Sequence, residues 1–296
     1  MPVGVIGVGN MGLPIALRLL DNAYSVHVRD IDGRREALAR RAGAAIATTP
    51  AALGSLCALV IVVVVDGTQV EQVLFGTDGV VTANPAPATV LLCPTIAPAE
   101  VESAACRLLE HGIGCIDAPM SGGPARARSG QMSLMVACDD KLFARHEALL
   151  RRLASGLFRV GTRPGDGART KLVNNLLAAV NLAAAAEALA LARRVGLNAA
   201  QTQAVIEQSS GQSWIGSDRM RRALADDMAP LAHTRLLAKD SCLAIEMART
   251  AGVEPELGRV AANLFAQACA QGFSAQDDAS LLKFVWHRQA ARPGML

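Results

Sequence analysis

Aromatic residues make up only 3% of the 296 positions, and the formal net charge is +3. Stacking platforms for bases are therefore scarce and no basic stripe accompanies them, so no nucleic-acid partner is expected. Seven cysteines (Cys57, Cys93, Cys106, Cys115, Cys138, Cys242 and Cys269) form no C-x-x-C pair. Most sit inside apolar runs, where a free thiol behaves as a small hydrophobe, which points to reduced core thiols and a cytoplasmic setting. None of the five histidines (His27, His111, His146, His233, His287) stands in a motif or at metal-ligand spacing, so neither a metal nor a histidine base is expected. The opening "MPVGVIGVGNMG" lacks the basic segment of a signal peptide. The longest apolar stretch, 176–192, is interrupted by Asn181 and Glu187, which favours a buried helix over a membrane span.

What is present is ample apolar material. At 51% hydrophobic and 19% charged, the chain can bury the core of one large or two modest domains. From residue 1 to about 162, short β-branched runs alternate with helix-like segments: 3–8, 24–29, 58–65, 89–93, 114–118, 132–137 and 157–161 read as strands. Runs apolar on both faces indicate a mostly parallel sheet covered by helices, a doubly wound α/β domain of Rossmann type. After the punctuation "GTRPGDG", strand signals stop. A helix is expected over about 167–195, closed by Gly196, and others over about 199–209, 214–225, 234–251, 255–271 and 278–290. The expected organisation is a dinucleotide-binding domain over 1–162 and an all-helical substrate and oligomerisation domain over 163–296, entered by the long helix.

"VGVIGVGNMGLPIALRLL" (3–20) sets Gly7, Gly9 and Gly12 in G-x-G-x-x-G between a strand and a helix. The glycines allow a tight turn and a close approach of backbone to a pyrophosphate, which the N–H groups of the following helix would meet. Gly7, Gly9, Asn10, Met11 and Gly12 are thus candidate cofactor contacts. Asp30 ends the second strand, where an acidic side chain accepts from the adenosine ribose and repels a 2′-phosphate, so NAD is expected, with NADP as the alternative. Arg29, Arg34 and Arg35 stand close by and complicate that preference.

"GARTKLVNNLL" (167–177) opens the long helix with Lys171, Asn174 and Asn175, at i, i+3 and i+4 on one face. By themselves they read either as a solvated polar stripe or as acid–base and orienting groups. An amine, unlike a guanidinium, can give up its proton, and a place near a helix N-terminus favours that. "DAPMSGGPARARSGQMSLMVA" (117–137) contains Ser121-Gly122-Gly123, a turn whose backbone N–H groups and hydroxyl suit an anion.

Taken in order, "GVIGVGNMGLPIALRL", "DAPMSGGPARARSGQMSLMV", "GDGARTKLVNNLL", "LLAKDSCLAIEMA" (236–248) and "DDASLL" (277–282) resemble the β-hydroxyacid dehydrogenase family, whose members include 3-hydroxyisobutyrate dehydrogenase and tartronate semialdehyde reductase. The resemblance implies an NAD-binding domain joined through a long helix to an all-helical domain, and hydride transfer between NAD and a small β-hydroxy or 2-hydroxy carboxylate. It implies Lys171 as the catalytic lysine and Asn175 as the asparagine that orients substrate. Ser121, Gly122 and Gly123 then hold the carboxylate, Thr95 and Lys239 approach the cofactor, and Val64 and Val65 lie over its adenosine-diphosphate part. Trp214, after Ser213, falls near the wall of the family's substrate pocket, although a buried aromatic anchor is the other reading.

Departures from the family pattern are Cys93-Pro94 ahead of Thr95, Val64-Val65 where Leu-Pro is usual, and Arg126, with Arg128 close behind, in the carboxylate-turn block. The partners expected are a small carboxylate substrate and further copies of this chain, as a homodimer or homotetramer, with no membrane. Two alternatives remain on the same fold: a dinucleotide-binding module without activity, which would have little reason to keep Lys171 and Asn175, and an imine-reducing relative, in which that lysine is expected to be replaced.

Overall fold

Four-residue runs rich in Val, Ile and Leu build the centre of a sheet in the computed structural model, which describes residues 2–290. In chain order the elements are β1 (Val3–Ile6), α1 (Gly12–Asp21), β2 (Val26–Arg29), α2 (Gly33–Arg41), β3 (Ala45–Ile46), α3 (Pro50–Leu56), β4 (Leu59–Val62), α4 (Gly67–Phe75), β5 (Thr89–Leu92), α5 (Pro98–Glu110), β6 (Gly114–Asp117), β7 (Met120–Ser121), α6 (Gly123–Ser129), β8 (Ser133–Ala137), α7 (Asp140–Leu153) and β9 (Gly156–Gly161). The strands lie in the order β3-β2-β1-β4-β5-β6-β8-β7, with β9 on β8. The first six are parallel, whereas β8 runs antiparallel to β6 and β7 and parallel to β9.

Every position of β1, β4 and β5 is buried, because alternate side chains of a strand point to opposite faces and helices cover both. On one face Val3, Val5, Leu59, Ile61 and Leu91 pack against α1, α6 and α7 through Ile15, Leu19, Ala127 and Leu150. On the other, Ile6, Val60, Val62, Val90 and Leu92 meet α3, α4 and α5 through Leu53, Leu74, Val101 and Leu108. The expected three-layer α/β arrangement is present. The strands are shorter than the apolar runs suggest, since Gly7 turns out of β1 with φ +86° and Val63 to Val65 leave β4 for a loop. The two-residue strands β3 and β7 were not anticipated; so short a segment carries no periodicity.

The chain divides into two compact units, Met1–Lys171 and Leu172–Leu296, and the division falls inside α8 (Asp166–Arg194). In the second unit follow α9 (Ala199–Glu207), α10 (Trp214–Leu224), α11 (Thr234–Thr250), α12 (Glu256–Ala268) and α13 (Leu281–Ala290). Length and composition alone would let α8 cross a membrane, yet Ala179, Leu182, Ala186 and Leu189 bury one side of it in a protein core with Phe265 and Phe284. The "DDASLL" segment is tied down beside that core. Asp277 accepts from the N–H groups of Leu231 (2.8 Å) and Ala232 (3.1 Å) and pairs with Arg222 at 2.9 Å, while Asp278 pairs with Arg219. That block of the family pattern is structural in this chain.

Candidate active site

Register decides what emerges together at the C-terminal edge of the sheet. Arg29, Ile6, Val62, Leu92 and Asp117 form one row across β2, β1, β4, β5 and β6. Asp30, Gly7, Val63, Cys93 and Ala118 therefore leave the sheet side by side, and with strands ~4.8 Å apart the row from Gly7 to Ala118 spans roughly 14 Å. The strand order reverses between β1 and β4, and in doubly wound sheets a ligand crevice opens at such a point.

Each glycine of the first loop has a different physical reason. A Cβ on Gly12 would stand 1.8 Å from the Gly7 carbonyl oxygen, and one on Gly7 would meet the Val63 oxygen at 2.6 Å. Both glycines are demanded by packing within the protein. Gly9 is not: nothing lies within 4 Å of where its Cβ would be, and its φ is outside the left-handed range. A bare backbone facing open space, at a helix N-terminus, is a cradle that fits a pyrophosphate.

Asp30 accepts from the Val8 N–H (2.7 Å) and the Asp32 N–H (2.8 Å), one on each carboxylate oxygen. It braces the glycine loop, a role the motif does not announce, and each oxygen retains acceptor capacity for ribose hydroxyls. Arg29 is paired with Glu36 at 2.9 Å and Arg34 with Asp32 at 3.1 Å, while Arg35 reaches Asn10 Oδ1 at 3.3 Å. Val65, half-exposed after β4, is held by its N–H donating to Gln69 Oε1 (2.9 Å), and Asp66 caps α4. Glu100 accepts from the Ala97 N–H (2.8 Å) and packs against Gly67, which joins the loop bearing Thr95 to the loop bearing Val64 and Val65. Burial, then the charge of Asp117, pushes the Cys93 thiol well up, so it stays neutral and inert.

Ser121 pairs with Ser133 in the β7–β8 ladder. Gly122 and Gly123 follow at φ +126° and +76°, backbone conformations that glycine adopts without the strain a side chain would add. The aliphatic stem of Arg126 lies against Gly122: a Cβ there would be 3.0 Å from Arg126 Cδ. Arg128 is drawn away to Asp21 on α1. Of the two arginines, only Arg126 borders the turn.

Lys171 and Asn175 are both buried, each 8% exposed, one turn apart on α8, and Asn174 lies on the exposed side. Within the second unit, Asn174 Nδ2 donates to Asn175 Oδ1 (3.0 Å) and Asn175 Nδ2 donates to Asp240 Oδ2 (2.7 Å); Asp240 also pairs with Lys239 (3.2 Å). Asp240 was overlooked in the sequence, although it follows Lys239 in the quoted "AKD". Its signal is an acid at the seventh position of a helix that is otherwise apolar on that side. Trp214 starts α10, half-exposed. Two residues on, Gly216 packs on Ala185 of α8, ten residues or ~15 Å along the helix from Asn175. The structure does not group Trp214 with the asparagines.

Residues 2–161 match the family described as the NAD binding domain of 6-phosphogluconate dehydrogenase, and residues 165–285 the one described as NAD-binding of NADP-dependent 3-hydroxyisobutyrate dehydrogenase. The chain is 36% identical to L-threonate dehydrogenase of Cupriavidus necator, over 95% of each chain. The chain belongs to the β-hydroxyacid dehydrogenase family. Within that family it is 29% identical to human mitochondrial 3-hydroxyisobutyrate dehydrogenase, covering 96% of this chain and 86% of the relative. A crystal structure of 3-hydroxyisobutyrate dehydrogenase from Salmonella typhimurium superposes with a TM-score of 0.89 at 31% identity, over 96% of this chain and 99% of that one. As a β-hydroxyacid dehydrogenase the protein is an NAD(P)-binding oxidoreductase acting on the hydroxyl of a hydroxy acid.

Proposed function

We propose that the chain oxidises a short, polyhydroxylated carboxylate of the L-threonate kind, with Lys171 moving the proton. The carrying observation is the buried pair Lys171 and Asn175, one turn apart, with the asparagine amide oriented from both sides by Asn174 and Asp240. Ser121 and the N–H groups of Gly122 and Gly123 hold the substrate carboxylate. Asn175 and Asn174 orient the hydroxyl-bearing carbon, and the amine of Lys171 takes the hydroxyl proton during oxidation and returns it during reduction. Gly7, Gly9, Asn10, Met11, Gly12, Asp30, Val64, Val65, Thr95 and Lys239 hold the dinucleotide. Bound NAD(P) supplies the redox chemistry by taking the hydride from the carbon that bears the hydroxyl.

The L-threonate preference rests on Arg126, whose stem borders the carboxylate turn and whose guanidinium brings donors for further hydroxyls. Relatives named L-threonate dehydrogenase at 30% to 36% identity support it. In this reading 1–162 is the cofactor domain and 163–296 serves substrate and assembly. Seven thiols without a disulfide suit the cytoplasm. Val173, Leu177, Ala184, Ala188 and Leu191 are exposed and fall within a stripe roughly 60° wide along ~27 Å of helix. A second copy of this chain, as homodimer or homotetramer, would cover it, and light scattering reads that directly.

The test is a panel of L-threonate, 3-hydroxyisobutyrate, 2-(hydroxymethyl)glutarate and their methyl esters with NAD⁺ and NADP⁺, followed by reduced-nicotinamide absorbance. L-threonate should lead and its ester should fail, and Arg126→Gly should move the preference toward 3-hydroxyisobutyrate. An unchanged ranking in Arg126→Gly removes the guanidinium from the specificity argument, and no turnover on any acid removes the activity.

A further inference from the structure

We propose that Asp117 is a positioning residue for the proton-transfer lysine: its buried carboxylate fixes the start of α8, and through it Lys171, against the strand that leads into the Ser121-Gly122-Gly123 turn. The proposal rests on the reading of Lys171 just given.

Asp117 is the last residue of β6 and is 1% exposed. Its Oδ2 accepts from the N–H groups of Gly165 (2.8 Å) and Ala168 (3.1 Å), and the Gly167 N–H bonds to it as well. The first N–H groups of a helix have no partner within it. Here they converge on one anion at the positive end of a 29-residue helix. Lys171 follows Ala168 by three residues, ~4.5 Å along the axis. In the other direction, four residues of chain connect Asp117 to Ser121. One side chain thus joins the lysine's helix to the carboxylate turn, and both lie in the same compact unit.

The backbone at the junction is built around the carboxylate. A Cβ on Gly167 would stand 2.8 Å from Asp117 Oδ2 and 2.6 Å from the Met135 carbonyl oxygen, and Gly165 holds φ +98°. A surface Ser, Thr or Asp would cap the helix for ~1 kcal/mol without burying a charge. Burial pushes the pKa of Asp117 up to about 6 against the pull of the three N–H groups, and the charge of Asp166 raises it further. The thiols of Cys93, Cys115 and Cys138 also feel its charge, and burial keeps them neutral. An exposed cap would stabilise the helix at lower cost; what it would not do is fix the amine relative to the turn. As pH falls through about 6 the carboxylate gains a proton, its hold on the N–H groups weakens, and turnover falls.

Asp117→Asn and Gly167→Ala in the full-length chain test this. The readouts are amide hydrogen exchange over 165–171, NADH affinity, kcat with its pH profile, and KM for the hydroxy acid. In both variants exchange over 165–171 should quicken, and kcat should fall by roughly 10- to 100-fold, as a misplacement of about 1 Å would cause, with NADH affinity within about twofold of wild type. The acid limb near pH 6 should vanish in Asp117→Asn. Should Asp117→Asn fail to fold, Gly167→Ala, which keeps the carboxylate and displaces the helix start, carries the same readings. Faster exchange with unchanged kcat makes Asp117 structural only and overturns the proposal, as does a kcat loss matched by an equal loss of NADH affinity. A wild-type chain that oxidises no hydroxy acid overturns the functional reading and this proposal together, whereas an active wild type with an equally active variant overturns this proposal alone.

Discussion

Gly9→Ala should push stability and cofactor binding in opposite directions. No atom lies within 4 Å of the added methyl, and Gly9 does not use the left-handed region that penalises alanine. The substitution then acts on the unfolded chain, whose lost freedom stabilises the folded state by ~0.4 to 1 kcal/mol. For a unit of this size that raises Tm by about 1 to 4 °C. The same methyl occupies the space where a pyrophosphate approaches the backbone, so NADH affinity should drop at least roughly tenfold, or 1.4 kcal/mol. Gly12→Ala is the control, because its methyl would stand 1.8 Å from a backbone oxygen and should lower Tm and binding together. Thermal melts and calorimetric titration with NADH on the three chains give both quantities. If Gly9→Ala bound NADH as tightly as wild type, the open space over Gly9 would not be the phosphate cradle.

Lys171→Arg keeps the charge but not an accessible protonation equilibrium, so it should lower kcat by roughly 10²- to 10⁴-fold at unchanged NADH affinity; near-normal turnover would send the proton by another route. Asp30→Ala should narrow a preference for NAD over NADP that we expect to be at least roughly tenfold in kcat/KM. It should also loosen the glycine loop, because Asp30 binds the Val8 N–H; comparable efficiency with both cofactors in wild type would contradict the first part. The pH dependence of stability should carry the mark of Asp117. Its folded pKa of about 6 lies above the ordinary 3.8, so the folded state keeps a proton the unfolded chain has already lost. The resulting stability is complete below about pH 4 and lost as pH rises through 6, ~3 kcal/mol in all. Urea unfolding at pH 4 and 7 should show the wild type losing ~3 kcal/mol relative to Asp117→Asn as pH rises, and a difference that stays constant would refute it.

The sheet was legible because both-face burial turns strands into unbroken runs such as Leu59-Val60-Ile61-Val62, and because glycines punctuate their ends. The helical half was legible from its apolar spacing and from caps such as Asn198 and Ser213. Strands β3 and β7 were not, since two residues are too few to show a period. Lys171 and Asn175 drew notice as polar groups in an apolar helix. Asp117 and Asp240 did not, because each matters through a contact 48 to 65 residues away along the chain. Nor did spacing separate Arg126 from Arg128; only the Asp21 carboxylate, 107 residues earlier, tells them apart.

The burial of β1, β4 and β5 at every position also governs how the chain becomes a protein. β1 lies between β2 and β4, so its second neighbour is not synthesised until about residue 62. Until α3, α4 and α5 close over it, a growing chain presents Val and Ile strands with no face that tolerates water. Parallel pairing demands such distant closures and is intrinsically slow, and half-built edges of this kind pair with one another. A fragment ending before β6 would be expected to aggregate, and the full chain to draw on chaperones during synthesis.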